Sequence, residues 1–440
     1  MEKYLQEYCD RNPTSKKLFE RAQKVFPFGV TSNIRAYKPF PMFAERANGS
    51  KVWDVDGHEL IDCQLAFCPM MVGYNHPVLT KALKDELDRG GTHWAIPHVK
   101  EIEAAEAIRD RYPFAETVRF SCSGTEATMH AVRIARAYTG KDKIIKLEGG
   151  YHGAHDSLLW SIYPDVGKIG PAYAPTPVPV STGIPSNMKE NIITVPYNNI
   201  EALEYAIKKN QGEIAGFILE PAMANISVVL PEDNYLQKVR EITKRENIVL
   251  IFDEVITGCK VGYGGGAEYF GVEPDMVTLS KAIGGGFPVS AVGGKKEIMA
   301  EIEKGCYHAG NFGGNPLGMT ALVTTMRDIL TREATDALIK KSEAAFEEMD
   351  SILKKSGIPH YFQHIGSIAG LLFTDEKVHD YRSMASQDYD MWHKFYITML
   401  NKGVIMIGAE PTEDISFSVQ HTDEDFEKVL KAFKETIDTF

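Results

Sequence analysis

Between residues 144 and 292 short apolar runs alternate with helix-forming stretches, and this alternation constrains the fold more than any other feature of the 440-residue sequence. The runs are Ile144 to Leu147, Ile192 to Val195, Ile214 to Leu219, Ile248 to Phe252, Met276 to Leu279 and Val289 to Val292. Several carry no polar alternation, as expected of strands covered on both faces, and a mostly parallel α/β sheet is the economical arrangement. Small or apolar residues at Ala127, Ala131, Ile134 and Ala135 mark a helix lying closely on that sheet. Ahead of it, residues 15 to 60 read as one helix, turns and an antiparallel ribbon turned by Asp56-Gly57. Beyond about residue 325 helix-forming sequence dominates, interrupted by strand-like runs near His360 to Phe362, Ala369 to Phe373 and Ile415 to Val419, and closed by an amphipathic helix from Asp423. We therefore expect an amino-terminal segment (1–60), a large domain (61–325) and a carboxyl-terminal part (326–440) that joins the amino-terminal ribbon in a smaller α/β domain.

The formal charge of -12 opposes general attraction to nucleic acid or anionic lipid. Six cysteines (Cys9, Cys63, Cys68, Cys122, Cys259 and Cys306) show no Cys-x-x-Cys spacing, so reduced thiols are expected in place of a disulfide framework or zinc knuckle. The start of the sequence lacks the basic-then-apolar order of a signal peptide, and no apolar run reaches the length of a membrane span. A cytoplasmic protein without membrane or nucleic-acid partners is the expectation.

Five segments carry residues suited to chemistry. Ser123-Gly124-Thr125 precedes the small-residue helix, whose unpaired N–H groups suit a phosphate, although the same sequence also serves as a plain helix cap. Tyr151-His152-Gly153 follows an apolar strand, where an aromatic ring either lies against a planar cofactor or packs in a turn. Asp253-Glu254 ends the run NIVLIF, at the strand end where α/β sheets place ligands. An aspartate there either pairs with a protonated pyridine nitrogen or binds magnesium, but no phosphate loop of the Gly-x-x-x-x-Gly-Lys-Ser/Thr type accompanies it. Lys281 stands between a strand and three glycines, the setting a nucleophilic lysine needs, and a surface lysine does not account for the glycines. His308 to Pro316 mixes polar residues with glycine, either as an anion loop or as a turn into a helix.

The ordered segments SGTEA, YHG, LEPAM, FDEVITG, LSKAIGGGFPVSAVGG and NPL together resemble the class-III (subgroup-II) aminotransferases of pyridoxal-phosphate fold type I, over roughly residues 30 to 325. Within that group the pattern is most similar to the glutamate-1-semialdehyde aminomutases, through GVTSNIRAY, EYFGVEPDMVTLSKAIGGGFPV and HTDED. The resemblance implies pyridoxal 5'-phosphate carried on Lys281, its ring nitrogen on Asp253 and its ring face on Tyr151. It further implies Ser123, Gly124 and Thr125 at the phosphate, Glu220 on the hydroxyl side, and Arg35 on a substrate carboxylate. A homodimer with shared active sites follows from the family, in which a threonine of the neighbouring subunit completes the phosphate site. Here that position is Asn311, in AGNFGGNP where the aminomutases read Ala-Gly-Thr-Leu-Ser-Gly-Asn-Pro. The acid of their Pro-Ser-x-Phe-Glu segment corresponds to Glu410 or Glu413. These departures favour an aminotransferase moving an amino group between a donor, such as a β-amino acid or its activated ester, and a 2-oxo acid. The intramolecular aminomutase is the alternative, and an amino-acid racemase or epimerase a further one.

Overall fold

The computed structural model describes residues 2–406, 408 and 414–440; Glu410 and Glu413 lie outside the described residues. Its centre is a seven-stranded sheet. Numbered along the chain with the strands of the smaller sheets, these are β4 (Thr117–Ser121), β5 (Lys143–Leu147), β6 (Ile192–Val195), β7 (Ile214–Leu219), β8 (Val249–Asp253), β9 (Met276–Leu279) and β10 (Ser290–Gly294), in the order β4-β10-β9-β8-β7-β5-β6. The pairs from β9 through β6 are parallel, whereas β10 runs antiparallel to both β9 and β4. Every residue of β7, β8 and β9 is buried, which explains their uninterrupted apolar sequence.

The helix Gly124–Thr139 lies on this sheet with Ala127, Ala131, Ile134 and Ala135 buried. Ala131, Ile134 and Ala135 pack with Ile144, Ile218 and Ile251 in one apolar cluster. Its small residues let the helix approach closely, and Gly216 on β7 has Ala135 as a neighbour in the same contact.

Two smaller sheets flank the centre. The first joins β1 (Ala44–Asn48), β2 (Lys51–Asp54) and β3 (Glu59–Asp62) to the two-residue β13 (Val404–Ile405), which pairs parallel with β3. The expected Asp56-Gly57 turn connects β2 and β3, with Val52 opposite Leu60. The second contains β11 (Tyr361–Ile365), β12 (Ile368–Leu372) and β14 (Ile415–Ser416). The helix expected ahead of the ribbon is Pro13–Ala22, and a further helix, Lys3–Arg11, precedes it. Among the described residues no helix is long and apolar enough to cross a membrane.

Candidate active site

Parallel strands deliver their carboxyl ends to one edge, and most of the chemistry-bearing residues gather there. Gly124, Thr125, Tyr151, Glu220, Asp253 and Lys281 line a single cavity of about 160 Å³. Gly124 and Thr125 follow β4 and open the helix Gly124–Thr139, Tyr151 follows β5, Glu220 follows β7, Asp253 ends β8 and Lys281 follows β9.

Ser123 caps that helix: its hydroxyl accepts from the Glu126 amide at 3.3 Å and donates to the Glu126 carboxylate at 2.8 Å. The first turn therefore presents Gly124 and Thr125 to the cavity, with the positive end of a 16-residue helix behind them. Gly153, at φ +96°, crosses so close to Thr125 that a Cβ would stand 2.7 Å from its Cα. Only glycine fits that crossing.

The acidic pair divides its labour. Asp253 is buried, with Oδ1 accepting from the Val255 amide and the Thr278 hydroxyl, each at 3.1 Å. Its Oδ2 faces His152 Nδ1 at 2.7 Å. His152 is also buried, and desolvation lowers its pKa against the opposing pull of Asp253. A neutral imidazole with its proton on Nδ1 satisfies this geometry. Glu254 instead turns into the protein, accepting from the Thr257 hydroxyl and the Gly266 and Ala267 amides at 2.7–2.9 Å. Burial pushes its pKa up to about 7. Among the described residues no three or more metal-binding side chains cluster.

Glu220 Oε2 accepts from the Ala224 and Asn225 amides at 3.1 and 3.3 Å. Its Oε1 and His152 Nε2 are buried without a hydrogen-bond partner within bonding distance among the described residues. Burial, reinforced by Asp253, pushes the Glu220 pKa up to about 8. Lys281 has φ +47°, a left-handed conformation uncommon for a lysine and of the kind stored at functional sites.

The triple glycine has a different cause from the expected approach of a ligand. A Cβ on Gly284 would meet Val289 Cγ1 at 2.4 Å, on Gly285 Leu79 Cδ2 at 2.8 Å, and on Gly286 Met70 Sδ at 2.4 Å. The glycines make room for protein segments that press on the loop carrying Lys281. Asn311 is exposed and is not part of the wall of its own chain's cavity. Arg35 is also exposed; it lines a second cavity, with its guanidinium donating to Thr31 Oγ1 at 2.6 Å.

Sequence reasoning missed the His152–Asp253 pair, although the histidine stood inside the Tyr-His-Gly segment. It also missed Lys146, wholly buried on β5, which donates to the carbonyls of Leu147 and Trp160 at 3.0 and 2.6 Å. Burial lowers the Lys146 pKa to about 7. Nearby, buried Glu148 holds Arg382 through two bonds of 2.8 and 2.9 Å, tying the carboxyl-terminal part of the chain to the end of β5.

A helix amino terminus, a buried aspartate and a lysine around one cavity, on this sheet, define a pyridoxal-phosphate-dependent enzyme of fold type I. The buried, unpartnered Glu220 Oε1 and the anion-favouring helix end fit that cofactor's hydroxyl and phosphate groups. The chain belongs to the class-III aminotransferase family, whose model matches residues 33–437. It is 42% identical over 427 residues to glutamate-1-semialdehyde 2,1-aminomutase 2 of Exiguobacterium sp., covering 96% of each chain. Among solved structures, an omega-transaminase from Sphaerobacter thermophilus is 32% identical, with a TM-score of 0.91 over 96% of this chain and 97% of that one. A β-phenylalanine aminotransferase from Variovorax paradoxus is 26% identical, with a TM-score of 0.88 over 99% and 96%.

Proposed function

We propose that the chain is an aminomutase that converts glutamate-1-semialdehyde to 5-aminolevulinate. The observation that carries this reading is the 42% identity to an aminomutase over 96% of both chains, supported by a cavity that Lys281 and Asp253 both line. In this reading Lys281 Nζ holds the cofactor, the Gly124–Thr125 turn binds its phosphate, and Tyr151 covers the ring. Asp253, fixed by His152, pairs with the ring nitrogen, and Glu220 faces the ring hydroxyl. When bound, pyridoxal phosphate supplies an electron sink for the carbon that bears the amine. Lys281 Nζ would then take the proton from that carbon and deliver it to a different carbon, which requires only a short swing of a side chain anchored at the strand end.

A second reading, an aminotransferase working with a separate 2-oxo acid, is favoured by the AGNFGGNP loop, where Asn311 replaces the family's threonine. One assay separates the two. Purified enzyme loaded with pyridoxamine phosphate is given glutamate-1-semialdehyde with no acceptor, and 5-aminolevulinate is followed by chromatography. Catalytic turnover is the expected result. Turnover that waits on an added 2-oxo acid transfers the assignment to the aminotransferase.

We further infer a homodimer in a cytoplasmic setting. Asn311 is exposed and does not line its own chain's cavity, and its segment neighbours Tyr307 and Phe312 expose large hydrophobic side chains, which a partner subunit would cover. All six cysteines are free, as in reducing compartments.

A further inference from the structure

Lys146 is wholly buried on β5, paired with Thr194 of β6 on one side and Ile218 of β7 on the other. A buried charge needs a partner, and this amine meets carbonyls instead of a carboxylate. Among the described residues it donates to Leu147 O at 3.0 Å and to Trp160 O at 2.6 Å. Glu148 and Glu220 are the carboxyl groups in its field, and each is engaged elsewhere. Glu148 holds Arg382, and Glu220 accepts from the Ala224 and Asn225 amides. Two acceptors match the two N–H groups of a neutral amine, whereas an ammonium has a third to place. Burial, which carries the Lys146 pKa down to about 7 against the pull of both carboxyl groups, agrees with that count.

The two carbonyls stand at the two ends of one loop. Residues 148–159 leave β5 at Leu147 and return at Trp160, so the Lys146 side chain bridges the base of that loop. Across the same base the Gly149 amide donates to Ser161 O at 2.9 Å. Tyr151 and His152 sit on this loop and line the cofactor cavity, and His152 Nδ1 faces Asp253 Oδ2 at 2.7 Å. The path from Lys146 to that imidazole is short. Leu147 O also accepts from the Gly150 amide at 3.3 Å, and a Cβ on Gly150 would stand 2.8 Å from His152 Nε2. Gly150 lacks the positive φ that would call for glycine, so its missing side chain is what lets the ring lie against this turn. From the helix side, Thr128 donates to His152 O at 2.6 Å.

We propose that Lys146 is a positioning residue for the partner of the cofactor's ring nitrogen: it staples Leu147 to Trp160, and the stapled loop holds the neutral His152 ring, donating from Nδ1, on Asp253. The inference rests on the cofactor site proposed above and is the same for an aminomutase and an aminotransferase. Lys146 is not part of the cavity wall and acts through Leu147, Gly150 and His152.

The test uses the full chain with and without pyridoxal phosphate. Lys146→Met keeps an unbranched apolar stem and removes both donors. Hydrogen-exchange mass spectrometry is expected to show peptides within residues 148–160 exchanging at least about tenfold faster, with peptides of β8 and β9 unchanged. Solid-state NMR of pyridoxal phosphate isotopically labelled at its ring nitrogen is expected to show that resonance displaced toward unprotonated pyridine, which a loss of packing elsewhere would not produce. Gly150→Ala leaves both Lys146 bonds intact and sets a methyl against His152. It should displace the same resonance without changing exchange at 148–160, and it carries the test if Lys146→Met does not fold. Faster exchange across the whole chain, or no change at 148–160 in Lys146→Met, overturns the proposal, as does a ring-nitrogen resonance that stays in place in either variant. A wild-type chain that binds no pyridoxal phosphate at Lys281 defeats the cofactor site itself, and the exchange arm, which needs no cofactor, tells that failure apart from failure of the staple.

Discussion

Replacing Glu220 with glutamine in cofactor-free protein measures how dry the cavity is. The folded carboxyl has its pKa pushed up to about 8, from an ordinary value of 4.5, mainly by burial. In the unfolded chain the group ionises near 4.5, whereas in the folded chain it keeps its proton until about pH 8. Stability associated with Glu220 is therefore greatest in acid, falls as the pH rises between those values, and levels off above them. At ~1.4 kcal/mol per pH unit, roughly 4 kcal/mol is lost between pH 5 and pH 9. Glutamine does not titrate. Its oxygen can still accept from the Ala224 and Asn225 amides, but its NH₂ occupies the place of the unpartnered Oε1, at a cost of about 1–3 kcal/mol. The variant should melt level with or below the wild type at pH 5 and above it at pH 9. For a chain of 440 residues, 1 kcal/mol corresponds to about 1 °C in the melting midpoint, so the difference between the two proteins should swing by about 4 °C. Differential scanning calorimetry in matched buffers reads this directly, and Glu254, present in both proteins, cancels. A difference that stays flat from pH 5 to pH 9 would refute the picture of a dry cavity holding a protonated Glu220.

Borohydride reduction of the pyridoxal-phosphate-loaded enzyme should fix the cofactor to Lys281, as read by peptide mass spectrometry; a label on buried Lys146 or Lys260 removes the assignment. In the same preparation Asp253→Asn should slow hydrogen–deuterium exchange at the donor carbon at least ~100-fold, the scale seen when one preorganised charge partner is lost. An unchanged exchange rate would sink that role. For the shared dimer site, Asn311→Asp and Lys281→Arg should each be inactive alone but recover roughly a quarter of wild-type activity on subunit exchange, because half the mixed dimers then carry one intact site. Light scattering showing a fully active monomer would contradict it.

Buried parallel strands announced themselves because covering both faces removes polar alternation, and so β5 through β9 were legible from hydrophobicity alone. β4 was not, since its sequence TVRFS places the exposed Arg119 among half-buried neighbours. β1, with sequence AERAN, owes its extended form to pairing with β2, and the two residues of β13 exist as a strand only against β3. Short elements of this kind are set by tertiary contacts that propensity does not contain. The strand-end residues were legible for a different reason: an acid and a lysine interrupt apolar sequence where packing alone gives them no purpose, whereas the glycines after Lys281 turned out to serve packing against Val289, Leu79 and Met70. What a linear reading cannot supply is partnership between distant residues. Nothing in Tyr-His-Gly names Asp253, which lies 101 residues away. The left-handed turn at Leu65 to Cys68 was equally silent, because it contains none of the glycine or asparagine residues that usually flag positive φ.

The charge states around the cavity follow from one constraint, that two neighbouring carboxylates cannot both be ionised cheaply away from water. Asp253 has His152, Thr278 and a backbone amide around its oxygens. Glu220 accepts from two backbone amides at one oxygen, and burial, with Asp253 adding to it, outweighs the opposing pull of Asn225 and keeps it protonated. The same burial brings Lys146 toward neutrality, while Glu148 offsets the charge of Arg382. Below about pH 8 the cavity therefore contains a neutral, proton-donating carboxyl at Glu220. An acid that stays protonated at neutral pH can donate a hydrogen bond to a ring oxygen, which an ionised glutamate cannot. Burial of Glu220, seemingly a cost to the fold, is thus what gives this side of the cavity a donor, and that donor disappears as the pH rises through about 8.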